Sequence, residues 1–223
     1  MQKKTSQLIQ SIFDVNNPML RLAERGFDLC LLNLLFIVTS IPLVTLGIAK
    51  LSLIACLREL NQSQKIKVVS LYFREFRKNW REGLGLGLLE LGITGFCLFD
   101  LYLIQGQTDP IFQLLRVVCY GILILSQLIW VYLYPLAARY AMPLGQLLKQ
   151  SLLLAGVHLP VTLLVLLAMG GLVVLLSLSG LSLLLTLSAF ILFGYASLTY
   201  LFLRVLDKIL IRYEKQNDTK ELL

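Results

Sequence analysis

The sequence predicts an all-α fold, a polytopic membrane helix bundle of about six transmembrane helices, and three observations predict it. The chain of 223 residues is 57% hydrophobic and 15% charged, whereas soluble proteins hold about 45–50% apolar and about 25% charged residues. The apolar residues lie in long runs, and residues 161–182 and 181–203 contain no charged side chain. At a rise of ~1.5 Å per residue, each run can cross a hydrocarbon core of ~30 Å. The cations, finally, cluster between runs, as the loops of a membrane protein require.

The N-terminus reads as a cytoplasmic end and not as a signal peptide. Lys3 and Lys4 are followed by the polar Asp14, Asn16, Asn17 and Pro18, and no small-residue cleavage site closes an early apolar run. Residues 27–57 are too long for one helix and hold Pro42 near their middle. Proline removes a backbone donor and clashes with the preceding turn, so residues 20–60 read as a short helical hairpin, 20–40 and 43–60, broken near Pro42. A single crossing here would put either the basic N-terminus or the block Arg58, Lys65, Lys67, Arg74, Arg77, Lys78 and Arg81 outside, against the positive-inside rule. Two crossings put 18 of the 20 cations in the cytoplasm, together with both termini, and leave only Lys50 and Arg116 within helices. A re-entrant hairpin predicts the same sides and stays open as the alternative.

Residues 64–82 read as an amphipathic cytoplasmic helix. Val69, Phe73, Phe76 and Trp80 recur at steps of four, three and four, while Arg74, Arg77, Lys78 and Arg81 fall largely elsewhere. Such a helix either anchors in the headgroup layer of anionic lipids or docks a partner protein. Four spans follow, at 83–104, 111–138, 152–178 and 181–203, and then a basic cytoplasmic tail, 204–223. The outer connections, at 40–42, 105–110 and 179–180, leave no room for an external domain. Residues 144–150, with Lys149, echo the basic amphipathic helix ahead of the third of these spans. The whole chain, 1–223, is one membrane domain, multi-pass in the cell membrane.

The chemistry-bearing residues argue against an enzyme. There is one histidine, His158, and neither an HExxH nor a GxSxG motif. Cys30, Cys56, Cys97 and Cys119 lie in apolar runs without a CxxC pair and read as small buried residues. Gly83, Gly85 and Gly87 open a membrane helix and not a phosphate loop, and Gly83 and Gly87 have the GxxxG spacing of close helix contacts. No cofactor, metal or nucleic acid is expected. Six ionisable groups lie within apolar helices: Asp28, Lys50, Glu90, Asp100, Arg116 and His158. Each costs ~2.5–3.5 kcal/mol to insert and calls for a partner or a wet cavity. Counting depth from the helix ends pairs Lys50 best with Asp100. Asp28, Asp100 and Arg116 read as interfacial side chains, Glu90 as a buried polar contact, and His158 as a packed helix residue.

Over about its first hundred residues the chain resembles the YesL-like family of bacterial integral membrane proteins. The resemblance rests on Asp28-Leu29, on Leu32-Asn33-Leu34-Leu35, on Ser40-Ile41-Pro42-Leu43-Val44-Thr45-Leu46-Gly47, and on Phe73-Arg74-Glu75-Phe76-Arg77-Lys78-Asn79-Trp80. It implies an accessory role beside carbohydrate-utilisation systems and sugar ABC importers, and no catalytic residue. The expected function is therefore that of a non-enzymatic accessory component of carbohydrate uptake. Its expected partners are membrane lipids, importer subunits and a second copy of the chain. The alternative is a small-solute carrier or channel using Lys50, Glu90 and Asp100. Phe73, Arg74, Phe76, Arg77, Lys78, Trp80 and Arg81 are the expected docking residues.

Overall fold

The computed structural model describes residues 18–62, 67–140, 142–158, 160–165, 167, 170–171 and 180–221, and all of its regular elements are helical. Lys3, Lys4, Lys65, Ser179 and much of the predicted span 152–178 lie outside the described residues. In chain order the helices are α1 (Pro18–Ser40), a 3₁₀ turn (Leu43–Thr45), α2 (Leu46–Gln62), α3 (Val68–Lys78), α4 (Trp80–Leu103), α5 (Pro110–Arg139), α6 (Leu144–Val157), α7 (Gly180–Ala189) and α8 (Tyr195–Glu221). A π-helical turn, Phe190–Gly194, joins α7 to α8.

Two of these helices, α4 and α5, are long and apolar enough to cross a membrane. The pair Thr186–Leu192 and Tyr195–Lys208, bent by 60°, makes a third span if it is counted as one. Only 22% and 17% of the apolar windows of α4 and α5 are buried. Helices this apolar that face outward are suited to lipid and not to water. The buried core lies elsewhere, around α2. Ala49, Leu53 and Leu57 of α2 are fully buried among Leu32 of α1, Tyr132, Leu133 and Leu136 of α5, and Leu203 and Leu206 of α8.

Glycine lets α2 reach that position. A Cβ at Gly47 would stand 2.5 Å from the Gly87 Cα and would collide with the Gly83 carbonyl. One at Gly83 would stand 2.6 Å from the Ile48 Cα. Gly83 and Gly87 thus make the close helix contact that their spacing predicts, and Gly47 supplies the other side. Gly87 meets Gly47 and the Val44 carbonyl, while Gly83 meets Ile48, so α2 and α4 cross with opposite chain directions.

Proline and asparagine set the remaining breaks. α6 stops at Val157 with His158 as its C-terminal cap, two residues before Pro160, so the expected span 152–178 is interrupted near its start. The expected continuous helix 64–82 is divided at Asn79, which caps α3 and α4 together. Trp80 therefore opens α4 and does not belong to α3. At one end of the bundle the charged residues converge. Asp207 lies 3.5 Å from Arg139 and 3.9 Å from Arg58, and Arg25 and Arg204 both donate to the Tyr200 hydroxyl.

The turn between α1 and α2 lies beside α3 and the first third of α4. The hydroxyls of Thr39 and Tyr72 are 2.6 Å apart, and burial pushes the Tyr72 phenol above its ordinary range. From Gly87, α4 runs another sixteen residues to Leu103, about 24 Å. The turn is apolar and open, with Ile41 and Leu43 74% and 66% exposed.

The glycine crossing sets a first prediction. Gly47→Ala should destabilise the detergent-solubilised protein by about 1–3 kcal/mol, the usual cost of overpacking. Gly92→Ala, whose added Cβ meets nothing within 4 Å, should leave it unchanged or slightly more stable. Thermal unfolding of the two variants side by side makes the comparison, and equal behaviour would mean that the crossing is not tight.

Candidate functional site: a buried ion pair beside an apolar cavity

Lys50 and Glu90 meet where α2 crosses α4. The Lys50 Nζ lies 2.6 Å from the Glu90 Oε1, and the two side chains are 14% and 7% exposed. Tyr134 of α5 donates its hydroxyl to the other carboxylate oxygen at 2.6 Å, and the Lys50 ammonium stands 5.1 Å from the centre of the Tyr134 ring. Both oxygens of Glu90 are thereby used, and the lysine charge is shared between a carboxylate and a π face. Glu90 is the buried polar contact that the sequence predicts.

The expected pairing of Lys50 with Asp100 is not what forms. That depth count set the turn at 40–42 at the far surface, which put Lys50 level with Asp100. The turn lies instead beside Gly87, so Lys50 reaches Glu90, and Asp100 is ten residues, about 15 Å, further along α4. Asp100 makes no ion pair among the described residues. Arg116 turns back to donate to the Ile104 carbonyl at 3.0 Å, satisfying the C-terminal end of α4. The carbonyl of His158 receives the Thr162 hydroxyl at 2.9 Å across the break after α6. Asp28 is half-buried on α1 and makes no ion pair among the described residues. The cysteines are free, and Cys56, Cys97 and Cys119 are buried.

A cavity of about 250 Å³ opens beside the pair. Lys50 and Glu90 form one side, and Gln127, Trp130 and Tyr134 of α5 and Tyr195 and Thr199 of α8 add the other polar groups. The rest of the wall is apolar, from Ile54 to Phe202.

One polar residue near this site enters the sequence analysis only through the family resemblance and not as a buried contact. Asn33, fully buried on α1, donates its amide to the carbonyls of Phe190 at 2.8 Å and Ile191 at 2.7 Å. Its oxygen accepts the backbone N–H of Ala196 at 3.0 Å. One side chain thus serves three backbone groups at the π turn, where the bend would otherwise leave them without partners. The only signal was an amide inside an apolar run, an amide that carries no charge to draw attention.

The basic helix is placed differently from its pattern. Val68, Leu71, Tyr72 and Glu75 form the buried face of α3. Phe76 stacks on Tyr72 with ring centres 6.2 Å apart and so leaves the outer stripe. Val69, Phe73 and Trp80 remain exposed, together with Arg74, Arg77, Lys78 and Arg81. Buried Glu75 draws Arg74 to 3.4 Å and Lys78 to 3.8 Å.

The hairpin, the basic helix and most of the first long span coincide with a segment that matches one sequence-family model. Residues 29–101 match DUF624, a protein family of unknown function. The match spans the hairpin turn, the glycine crossing, the ion pair and α3, and the YesL-like resemblance over the same part of the chain is consistent with it. No curated protein and no solved structure matches significantly.

The ion pair carries the second prediction. Lys50→Met leaves a buried carboxylate without its counter-ion and should cost about 3–5 kcal/mol. Adding Glu90→Gln, which keeps an acceptor for Tyr134, should restore most of that loss. Adding Asp100→Asn should instead be additive to within about 0.5 kcal/mol. Chemical unfolding in detergent gives the three values, and coupling to Asp100 would revive the discarded pair.

Proposed function

We propose that this chain is a non-enzymatic, multi-pass protein of the cell membrane that serves as an accessory to carbohydrate uptake. The carrying observation is the outer face of α3 and the start of α4. Phe73 and Trp80 stay exposed among Arg74, Arg77, Lys78 and Arg81 while the opposite face is packed on the bundle. A lipid anchor needs only charge and apolar area, whereas rigid aromatic rings beside arginines are the usual anchors of protein interfaces. The link to sugar importers comes from the YesL-like resemblance alone.

In this reading both termini are cytoplasmic. The convergence of Arg25, Arg58, Arg139 and Arg204 at one end supports it, since all four belong to the side with most cations. Of the two readings of residues 20–60, the geometry favours the re-entrant hairpin over two full crossings. A turn that crossed would stand ~30 Å from a cytoplasmic α3, yet Thr39 touches Tyr72. Its open backbone groups are also served internally, as hydrocarbon demands. The Thr45 hydroxyl reaches the carbonyls of Thr39 at 2.6 Å and Pro42 at 2.7 Å.

The alternative, a small-solute carrier, draws support from the cavity beside Lys50 and Glu90. Asp100 is not among the cavity's lining residues, so a path using all three is not favoured.

Two experiments follow. In a cysteine-free background, a membrane-impermeant thiol reagent applied outside should label Gln107→Cys but neither Ile41→Cys nor Ser63→Cys. Labelling at Ile41 would restore two full crossings, and labelling at Ser63 would overturn the orientation. For docking, Arg74, Arg77 and Arg81 are changed to Lys and Lys78 to Arg, with Phe73→Leu as a companion. Charge and insertion should persist, while crosslinked recovery of importer subunits should fall about tenfold, the scale of one interface hot spot. Undiminished recovery would leave α3 as a lipid anchor.

A further inference from the structure

We propose that Arg25, Tyr200 and Arg204, at the end of the bundle where the charged residues converge, form a site for a phosphate group. The inference stands whether the protein proves an accessory component or a carrier, because it rests on neither the outer face of α3 nor the buried ion pair.

Three observations carry it. The first is the convergence itself. Arg25 of α1 and Arg204 of α8 both donate to the Tyr200 hydroxyl, at 3.2 and 2.6 Å. The two guanidinium groups therefore hold nitrogens no more than ~6 Å apart, a distance at which like charges repel. A neutral oxygen does not offset that repulsion, whereas an anion placed against both groups would.

The second is the lack of a carboxylate. Among the described residues, neither arginine makes an ion pair or a further hydrogen bond. The acids nearest in sequence do not serve them. Asp207, one turn beyond Arg204, lies against Arg139 and Arg58 instead. Glu24 and Asp28 flank Arg25 on α1 but form no ion pair with it.

The third is the hydroxyl that joins the arginines. Tyr200 is 7% exposed, and the Arg204 guanidinium stands 4.6 Å from the centre of its ring. A phenolic oxygen that accepts two hydrogen bonds still carries a proton to donate, and no acceptor for it occurs among the described residues. Three donor groups thus meet at one place without an acceptor. A carboxylate has oxygens enough for the two arginines alone. A tetrahedral phosphate has them for all three groups, and guanidinium forks match its geometry.

The site is open to such a ligand. Arg204 is exposed and Arg25 half-buried, and Leu201 and Val205, beside Arg204 on α8, are exposed as well. A phosphate free in solution can reach it. So can a lipid headgroup, whose chains would find apolar surface next to the donors.

The test uses the full chain in neutral detergent and phosphate-free buffer, and reads thermal stabilisation against concentration. Decyl phosphate, sodium decanoate and decanol present a phosphate, a carboxylate and a hydroxyl on the same length of chain, and inorganic phosphate is the soluble probe. Decyl phosphate should half-saturate at about tenfold lower concentration than decanol, the worth of one charge-assisted hydrogen bond, and below decanoate too. Arg25→Gln and Arg204→Gln should each remove about that factor. Lys149→Gln, which removes an equal charge from an exposed position on α6, should keep it. Should Arg25→Gln fail to fold, Arg204→Gln at its exposed position still decides. Inorganic phosphate acting at constant ionic strength would make soluble phosphate the source, and decyl phosphate acting alone would make it a lipid headgroup. Either result supports the proposal, provided that it depends on Arg204. Silence with both phosphates, decanoate or decanol matching decyl phosphate, or a response that falls equally with Lys149→Gln would overturn it. So would an Arg204→Gln protein that melts lower yet keeps its phosphate response, the mark of a merely structural contact.

Discussion

Where Gly47, Gly83 and Gly87 remove three side chains from one crossing, two helix backbones approach until only hydrogen atoms separate them. Such an approach brings a long side chain on one helix within reach of a shorter one on the other. Lys50 and Glu90 each lie three residues beyond a glycine of the crossing, on the same helical face as that glycine. The ion pair therefore depends on the glycines. With bulkier residues there, α2 would stand away from α4, and the carboxylate would be left with Tyr134 alone. The dependence also runs the other way, because a charge buried without its partner would push the helices apart to admit water.

The same low-dielectric economy explains Asn33. A helix that bends in an apolar setting exposes carbonyls that no solvent can take, so a side chain from a neighbour must serve them. Asn33 does so from α1 at the π turn, and Thr45 does so within the hairpin turn. Phe36 then stacks on Tyr195 at 4.7 Å, one helical turn beyond Asn33. The bend between α7 and α8 and the placement of the first helix are in this sense one feature. Neither would keep its geometry if the other moved.

Much of this was legible from the residues. Long apolar runs made α4 and α5 plain, because apolar length is a direct signature of a span. Gly83 and Gly87 announced a close contact through their spacing, and Glu90 a buried one through its neighbours. Depth was not legible, since a sequence states which residues are apolar but not how far a hairpin reaches. Setting Pro42 at the far surface displaced Lys50 along α4 and gave it the wrong carboxylate. The face of Phe76 was also hidden, because Tyr72 was not counted in the aromatic stripe. Helical spacing alone does not say which of two apolar sides a bundle will cover. Asn33 escaped as a buried contact because a neutral amide leaves no trace in a charge count, although its burial cost resembles that of a hydroxyl or peptide group.

The hairpin turn and the cavity belong together physically. A turn that stops beside Gly87 lets α2 reach no further along α4 than Glu90, and most residues of α4 beyond it are exposed. Little of the apolar windows of α4 and α5 is buried as a result. Beneath that level α2 fills the centre of the bundle, but one short helix cannot fill all of the space between α5 and α8. The remaining volume lies at Lys50, where a flexible side chain bends aside to its carboxylate and covers less wall than a leucine would. A polar tie in an apolar bundle thus creates two needs at once: a counter-charge, met by Glu90, and packing, met only in part by the side chains around it. The space left open lies against Lys50 and Glu90, so the ion pair that fastens the helices also makes room beside them.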